Sequence, residues 1–424
     1  MNGHYHPHQR ATARSQHGQT QRVTTATPPI PAPPLAIPTR DVVRVVIQQP
    51  CLSHYRVPVF RELASREGID LLVLYGDEKG IQNVAPDGFR AEFVKLHDRR
   101  VAGTLVRWHG AQISHALRAK ADVVVLSWST RYLSLVPGLV RARLNDLGVV
   151  LWGHGYSKSE TALRLRLRTL LPRAADSVVF YNYEASQQLI DTNLVRPDRV
   201  FVALNTIDLG PVRAAAEVWR ACPGRLARFR VEQGLGAGPV ILFVSRLFKE
   251  NQTDVLVRAA PGIASRFPGT RVVILGDGPD MARLQALAGE VGATDCVRFV
   301  GPVFGEENIA PWFLSADVFC YPANVGLSLI HALSYALPVV TGDKLESQNP
   351  EIEAFRENVN GLLFRHGDPE SLVETLSMLL GDAALRRRLS EGALDTVTND
   401  YSIPKMVDGL EAAIRSAAAR HPRS

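Results

Sequence analysis

The sequence predicts an α/β protein with two parallel-sheet domains that face a cleft. Short runs of β-branched residues alternate with helical stretches twice along the chain, once on each side of an interruption that contains Gly and Pro. Such strand–helix–strand repetition is typical of a parallel sheet covered on both faces. The chain has 424 residues, more than the ~250–300 that one hydrophobic core organises, so two domains are expected.

Residues 1–40 differ in composition from the rest of the chain. They are rich in His, Gln, Thr and Pro and contain no acidic residue. A segment with so few large apolar residues cannot bury a core, so we predict a disordered tail outside the fold.

The first Rossmann-like domain is predicted over residues 41–212. Its strands are expected at Val43–Gln48, Leu71–Tyr75, Val123–Ser127, Val149–Trp152, Ser177–Tyr181 and Val200–Ala203. Residues 213–238 read as an irregular linker, because Gly and Pro interrupt the pattern there.

The second Rossmann-like domain is predicted over residues 239–382. Its strands are expected at Val240–Val244, Arg271–Leu275, Val297–Val300, Val318–Tyr321 and Val339–Thr341. Helical segments fill residues 383–424, and the last of them is expected to pack back across the domain junction.

Several classes of protein are disfavoured by composition. No apolar run approaches the ~20 residues of a membrane helix, and the chain does not start with a secretory signal pattern, so a cytoplasmic location is expected. The cysteines show no metal-ligand spacing, so we predict buried thiols and no metal site. They are Cys51, Cys222, Cys296 and Cys320.

Positive charge is concentrated in the first domain. The net charge is +6, and between Lys95 and Arg173 only Asp98, Asp122, Asp146 and Glu160 oppose a long series of basic residues. That series is Lys95, Arg99, Arg100, Arg107, Arg118, Lys120, Arg131, Arg141, Arg143, Lys158, Arg164, Arg166, Arg168 and Arg173. Such a face favours an anionic partner. No nucleic-acid-binding module accompanies it, so lipid or phosphate is preferred to nucleic acid.

Candidate phosphate-binding groups follow the strands of the second domain, where ligands bind in open parallel sheets. Arg246 and Lys249 come after the first strand. A guanidinium holds a diphosphate by paired hydrogen bonds, and an ammonium holds it as a point charge. The alternative is that both are surface charges on a loop. Gly276 opens a tight turn after the next strand, and Gly326 begins a helix with no side chain to block a phosphate.

Taken together, these segments resemble the C-terminal half of the family 4 retaining glycosyltransferases. Between about Val240 and Leu380 they read, in order, Val-Ser-Arg-Leu, Leu-Gly-Asp-Gly-Pro, Val-Gly-Leu, Leu-Pro-Val-Val and Asn-Gly-Leu-Leu-Phe. The resemblance implies a GT-B fold, metal-independent transfer from a nucleotide sugar, and retention of the anomeric configuration, with no cofactor. It places Arg246 as the phosphate-binding arginine, and Gly326 and Leu327 in the loop beside the diphosphate.

Three positions depart from the family pattern. A lysine that binds phosphate in the family falls on Asn251, so Lys249 is the candidate to replace it. Two family glutamates fall on Ala323 and His331. Alanine offers a sugar hydroxyl no acceptor, and a neutral imidazole offers one.

A subgroup with Gly-Leu-x-x-x-His in this segment is more similar to the chain. In that comparison His331 belongs to the donor site, and Glu351 or Glu353 supplies the lost acceptor. The alternative is that these two carboxylates only stabilise the start of a helix.

The N-terminal half resembles the family more loosely. His154, between two glycines, is similar to the family's cleft histidine, and we predict it to be catalytic together with Arg246. Arg56, at the start of a helix, is predicted on the acceptor side. The alternatives are a structural histidine and an Arg56 that pairs with Glu62.

The predicted function is transfer of a hexose from a nucleotide sugar to a saccharide acceptor linked to polyprenyl pyrophosphate, in surface or exopolysaccharide biosynthesis. The Arg-Leu-Arg-Leu-Arg segment at Arg164–Arg168 indicates either peripheral contact with the inner face of a membrane or a solvated helix face. Two alternatives stay open: a nucleotide-sugar epimerase, and an inactive GT-B binding subunit, which the departures at Asn251, Ala323 and His331 favour.

Overall fold

A computed structural model of the protein describes residues 42–78, 81–101, 104–154 and 169–422. The predicted tail at residues 1–40 and the Arg164–Arg168 segment lie outside these residues. The described part of the chain forms two lobes, each a parallel sheet flanked by helices, which confirms the predicted fold class. None of the described helices combines the length and apolarity needed to span a bilayer.

The N-terminal lobe contains a parallel sheet and a separate antiparallel hairpin. The sheet strands are β1 Val43–Gln49, β2 Ile69–Tyr75, β3 Arg90–Phe93, β6 Val123–Ser127, β7 Gly148–Trp152, β8 Ser177–Phe180 and β9 Val200–Val202, and the hairpin pairs β4 His97–Val101 with β5 Thr104–Trp108. The sheet order is β3-β2-β1-β6-β7-β8-β9. The helices of this lobe are α1 Val57–Ser65, α2 Ala111–Ser114, α3 Leu135–Leu144 and α4 Tyr183–Asp191.

The C-terminal lobe repeats the plan with six parallel strands. They are β10 Val240–Val244, β11 Arg271–Leu275, β12 Val297–Gly301, β13 Val318–Cys320, β14 Val339–Gly342 and β15 Gly361–Phe364. The sheet order is β12-β11-β10-β13-β14-β15. The helices that follow α4 are α5 Leu209–Arg220, α6 Pro223–Glu232, α7 Thr253–Arg266, α8 Met281–Glu290, α9 Glu306–Ser315, α10 Ser328–Ser334, α11 Pro369–Gly381, α12 Ala383–Asn399 and α13 Ile403–Ala419.

Residues 213–238, interpreted from sequence as an irregular linker, are largely helical. Helices α5 and α6 occupy most of this stretch, and Val212 and Trp219 are buried in the core of the C-terminal lobe. Pro223 does not interrupt a helix, because it stands at the first position of α6, where its missing N–H is not needed. Cys222, just before it, is exposed, so the prediction of a buried thiol is wrong at this position.

Helix α13 follows the C-terminal lobe in sequence but packs on the sheet of the N-terminal lobe. Its buried side chains recur every three or four residues, as on one face of an amphipathic helix. They are Ile403, Met406, Val407, Leu410, Ala413, Ile414 and Ala417. Gly409 lets the helix backbone approach β9, since a Cβ there would lie 1.9 Å from the Val202 carbonyl oxygen.

Two carboxylates form polar contacts between the lobes. Glu353 accepts hydrogen bonds from the backbone N–H groups of Tyr183 (2.8 Å) and Glu184 (2.6 Å), the first residues of α4. The Asn205 side-chain amide donates to Glu351 at 2.6 Å. Glu353 therefore caps a helix of the opposite lobe and not the start of its own.

Gly276, predicted as a donor-binding residue, packs against the loop that follows β10. Its φ is +129°, and a Cβ there would lie 1.8 Å from the Ser245 carbonyl oxygen. A Cβ on Gly278 would lie 2.4 Å from the Leu247 carbonyl oxygen. The glycines of this turn thus bring two loops into backbone contact.

We expect Gly276→Ala to lower the free energy of unfolding by at least about 2 kcal/mol, because it combines a disfavoured φ with a clash against backbone. Gly289→Ala is the matched control. Gly289 lies near the end of α8, and no atom lies within 4 Å of the position that an added Cβ would take, so alanine there should stabilise by roughly 0.5–1 kcal/mol. Urea unfolding measures both changes, and equal stabilities of the two variants would contradict the packing role.

A buried polar network fastens α2 and α3 to β1. The backbone N–H of His109 donates to Ser134 Oγ (3.0 Å), which donates to Gln112 Oε1 (2.6 Å), and Gln112 Nε2 donates to Gln48 Oε1 (2.8 Å). The His109 ring lies 3.2 Å from the Gln49 carbonyl oxygen. Burial lowers the pKa of His109 to about 4, against the opposing effects of Gln49 and Asp77. The ring is therefore neutral in the fold.

His109 should make stability fall in mild acid. The unfolded imidazole binds a proton near pH 6.5, whereas the folded one binds it only near pH 4. The stability linked to His109 is complete above the first value and is lost as the pH falls toward the second, by at most about 1.4 kcal/mol per pH unit. In urea unfolding across this window, His109→Asn should show a shallower pH dependence than the parent, and an unchanged slope would contradict the neutral ring.

Candidate functional site

A cleft lies where the two sheets present their topological switch points. In the C-terminal sheet the strand order reverses between β10 and β13, and in the N-terminal sheet between β1 and β6. Open parallel sheets bind ligands at such points, beyond the carboxyl ends of the strands. A cavity of about 480 Å³ occurs here, lined by residues that follow β10, β13 and β1.

Both lobes contribute to this cleft. Predicted site residues Arg246, Gly326, Leu327 and His331 line it. The remaining lining residues are His54, Tyr55, Ile207, Val244, Ser245, Phe248, Asn251, Tyr321, Asn324, Ser328 and Asn349. The geometry thus brings together four of the predicted donor-side residues.

Asn251, which stands at the lysine position of the family pattern, joins the loops of the cleft. Its side-chain amide donates to the Arg246 carbonyl oxygen at 2.6 Å, and its Oδ1 accepts from Asn324 at 3.1 Å. Its own carbonyl oxygen accepts from the Ala323 N–H at 3.2 Å. Because Asn251 is 2% exposed, it serves as a structural link between the segments after β10 and β13.

Other predicted residues lie outside the cleft lining. Lys249 is not among the described lining residues, and its charge acts on the carboxyl group of Asp280. Gly276 lies behind Ser245, as described above, and Ala323 is buried. Glu351, also predicted to bind the donor, is buried at the contact with Asn205.

His331 is held by a group that the sequence motif does not contain. Its Nε2 lies 2.9 Å from Glu306 Oε1, and the Tyr335 hydroxyl donates to the same oxygen. The imidazole packs on Phe313, with ring centroids 4.6 Å apart. Burial alone would raise the pKa of the Glu306 carboxyl, but the hydrogen bonds from His331 and Tyr335 outweigh it and hold that pKa below its ordinary value. Glu306 is therefore a carboxylate.

The Glu306 contact explains why a glutamate would not fit at position 331. We expect His331→Glu to lower the free energy of unfolding by about 1–3 kcal/mol, because two carboxylates would then share one partly buried site. Adding Glu306→Gln to His331→Glu should recover most of the lost stability. The single variant Glu306→Gln completes the double-mutant cycle. If the double variant is no more stable than His331→Glu, the pairing is not the cause.

Arg56 and His154 belong to an aromatic cluster of the N-terminal lobe. The Arg56 guanidinium carbon lies 4.9 Å from the ring centroids of both Trp152 and Tyr181. The His154 ring lies 4.6 Å from that of Tyr181. Burial raises the pKa of Tyr181, Arg56 opposes this rise and Glu351 adds to it, so both charges act on this ring. Neither Arg56 nor His154 is among the described cleft-lining residues.

Aromatic rings lie beside the Arg56 guanidinium, and Glu62 pairs with a different arginine. Arg66, not Arg56, forms the ion pair with Glu62, at 3.0 Å. One terminal nitrogen of Arg56 has no hydrogen-bond partner among the described residues, although the residue is 7% exposed. The guanidinium is thus stabilised by aromatic faces.

Two doubly wound lobes with a cleft at their switch points define the GT-B class of folds. The solved structure of HepE from Anabaena in complex with UDP has this fold, with a TM-score of 0.67 and 15% identity over 88% of this chain and 100% of that one. Residues 238–382 match the family model described as Glycosyl transferases group 1. These matches support the resemblance drawn from the sequence motifs.

Curated relatives are similar in sequence to part of the chain. The D-inositol 3-phosphate glycosyltransferase of Salinispora arenicola is 32% identical over 59% of this chain and 57% of its own length. The lipopolysaccharide core biosynthesis glycosyltransferase LpsE of Rhizobium meliloti is 27% identical over 40% of this chain and 48% of its own length. The matched region thus spans about half the length of these relatives.

Proposed function

We propose that the protein is a retaining, metal-independent glycosyltransferase that moves a hexose from a nucleotide sugar to a lipid-linked saccharide acceptor. The observation that carries this proposal is the position of Arg246 at the switch point of the C-terminal sheet, in a cleft shared with Gly326 and Leu327. The comparisons support it, since HepE was solved with UDP and LpsE is named for lipopolysaccharide core biosynthesis.

In the proposed mechanism Arg246 neutralises the departing nucleotide diphosphate. The bond from the anomeric carbon to the phosphate oxygen breaks, and the acceptor hydroxyl attacks from the same side. Its proton passes to the leaving phosphate, so no carboxylate nucleophile is required. The protein contributes a fixed positive charge and alignment of the reactants. Lys249 adds a longer-range charge from the adjoining turn.

The acceptor is proposed to meet the N-terminal lobe. His54 and Tyr55 line that side of the cleft, and Arg56 with His154 forms the polar part of the aromatic cluster behind them. Aromatic faces bind sugar rings and cations, and a guanidinium binds a carboxylate or phosphate. Such a surface suits a saccharide carried on polyprenyl pyrophosphate, at the inner face of a membrane, in surface polysaccharide biosynthesis.

His331 distinguishes this chain from the family pattern, which has glutamates at the positions of Ala323 and His331. We propose that it belongs to the subgroup with Gly-Leu-x-x-x-His, in which the imidazole faces the donor. Glu306 holds one ring nitrogen, which leaves a single ring nitrogen for a ligand.

Replacing Arg246 by alanine should lower turnover by roughly 10²–10³, the effect of deleting one preorganised electrostatic donor. Arg258→Ala is the matched control, because Arg258 is an exposed arginine of helix α7, which follows this loop, and is not among the described cleft-lining residues, so this variant should stay close to the parent. Labelled sugar nucleotides with a lipid-linked acceptor give the rates. Near-parental turnover of the Arg246 variant would overturn the assignment.

An inactive binding subunit is the second candidate, favoured because Asn251 and Ala323 are used in structural contacts. Calorimetry with UDP and GDP separates the two. Binding of neither UDP nor GDP would favour the binding subunit, whereas isomerised sugar from donor alone would indicate an epimerase.

A further inference from the structure

Helix α3 presents a second apolar face to solvent. Its inner face is buried through Leu135, Leu139 and Ala142. An ordinary surface helix is polar opposite its buried face. Here the outer face and the turn before it expose large apolar side chains instead, which are Leu133 (54% exposed), Val136 (47%), Val140 (53%) and Leu144 (81%).

These four side chains form one stripe, which we call the α3 stripe. Their spacing of three or four residues places them on one side of the helix, over a length of about 16 Å. Arg141 is exposed on one flank, at a helical angle close to perpendicular to the stripe, and Arg131 is exposed in the turn before the helix. Apolar side chains bordered by exposed arginines match the geometry of a helix lying in a bilayer interface, with these guanidinium groups at headgroup level.

The charge around the α3 stripe is positive. Residues 129–145 contain Arg131, Arg141 and Arg143 and no acidic residue. Arg143 pairs with Asp176, while neither Arg131 nor Arg141 forms an ion pair within the described part of the chain. Asp146, the next acid, interacts with His421. The surface is thus complementary to anionic lipid.

A neighbouring segment extends this surface. Arg143 Nε donates to the Ala174 carbonyl oxygen at 2.9 Å, which places Leu171–Ala174 at the C-terminal end of α3. Leu170 is 51% exposed and Arg173 is exposed. Leu170 and Arg173 thus extend the exposed apolar and basic surface beyond the end of α3.

We propose that the α3 stripe docks the protein on an anionic lipid bilayer. A stable dimer buries about 800 Å² on each partner, which a stripe one side chain wide does not supply. The helix begins after β6, on the side where the strand ends meet the cleft, so docking would bring the cleft to a lipid-linked acceptor. Only this last consequence rests on the proposed function; lipid binding does not.

The test is flotation of the full chain with vesicles of phosphatidylcholine alone or with phosphatidylglycerol. We expect binding to the anionic vesicles, and at least a tenfold lower partition coefficient for the triple variant Val136→Gln, Val140→Gln, Leu144→Gln. The matched control is Val218→Gln, Val231→Gln, Met378→Gln, which changes equally exposed apolar residues of α5, α6 and α11. The control should bind as the parent does.

Charge is tested by Arg131→Gln with Arg141→Gln, which keeps the apolar residues and should also weaken binding to anionic vesicles. If the triple variant does not fold, this double variant still tests whether the surface binds anionic lipid. Absence of vesicle binding, equal binding by the triple variant, or equal binding to neutral vesicles would overturn the proposal. So would a change of oligomeric state in ultracentrifugation, which would identify a second copy as the occupant. UDP calorimetry on the same variants reports the proposed function separately.

Discussion

The position of Arg246 depends on how closely its loop packs against backbone. The loop after β10 lies against Gly276 and Gly278, where no side chain fits beside the carbonyl oxygens of Ser245 and Leu247. Asn251 holds the Arg246 carbonyl oxygen from the other side at 2.6 Å. The backbone that carries the Arg246 side chain is therefore held in place by packing and by a hydrogen bond, which limits how far this loop can move.

The cleft also depends on how the lobes are joined, and here apolar packing outweighs polar contacts. Each intact hydrogen bond, such as those to Glu353, contributes about 1 kcal/mol net. Each large side chain that α13 buries on the N-terminal sheet contributes roughly 1.5–3 kcal/mol, and Ile403, Met406, Val407, Leu410 and Ile414 are all buried there. Apolar packing therefore ties helix α13 to the N-terminal lobe, while Glu353 and the Asn205–Glu351 bond add polar contacts between the lobes.

Sequence reasoning located the buried strands because β-branched runs such as Val240–Val244 have few other interpretations. It missed β3, whose polar residues Arg90–Phe93 lie at the exposed sheet edge, and β15, which begins with a glycine. Residues 213–238 are largely helical where the sequence indicates an irregular stretch, because Pro and Gly can begin a helix as well as end one. Arg246 and Gly326 could be predicted as cleft residues, because each follows the end of a predicted strand. Glu306 was not, because it lies 25 residues before His331 with no local pattern that joins them.

The departures from the family pattern compensate one another. The family pattern that the chain resembles has an arginine, a lysine and two glutamates at these positions, a set with no net charge. Here Asn251 and Ala323 carry no charge, and Glu306 restores one negative charge but directs it at His331. The charges of Arg246 and Glu306 are therefore equal and opposite. Of these two residues, Arg246 is among the described cleft-lining residues and Glu306 is not. Because Glu306 is engaged by His331 and Tyr335, the proposed donor recognition in this cleft would rest on Arg246, the imidazole and the amide side chains of Asn324 and Asn349 rather than on carboxylates.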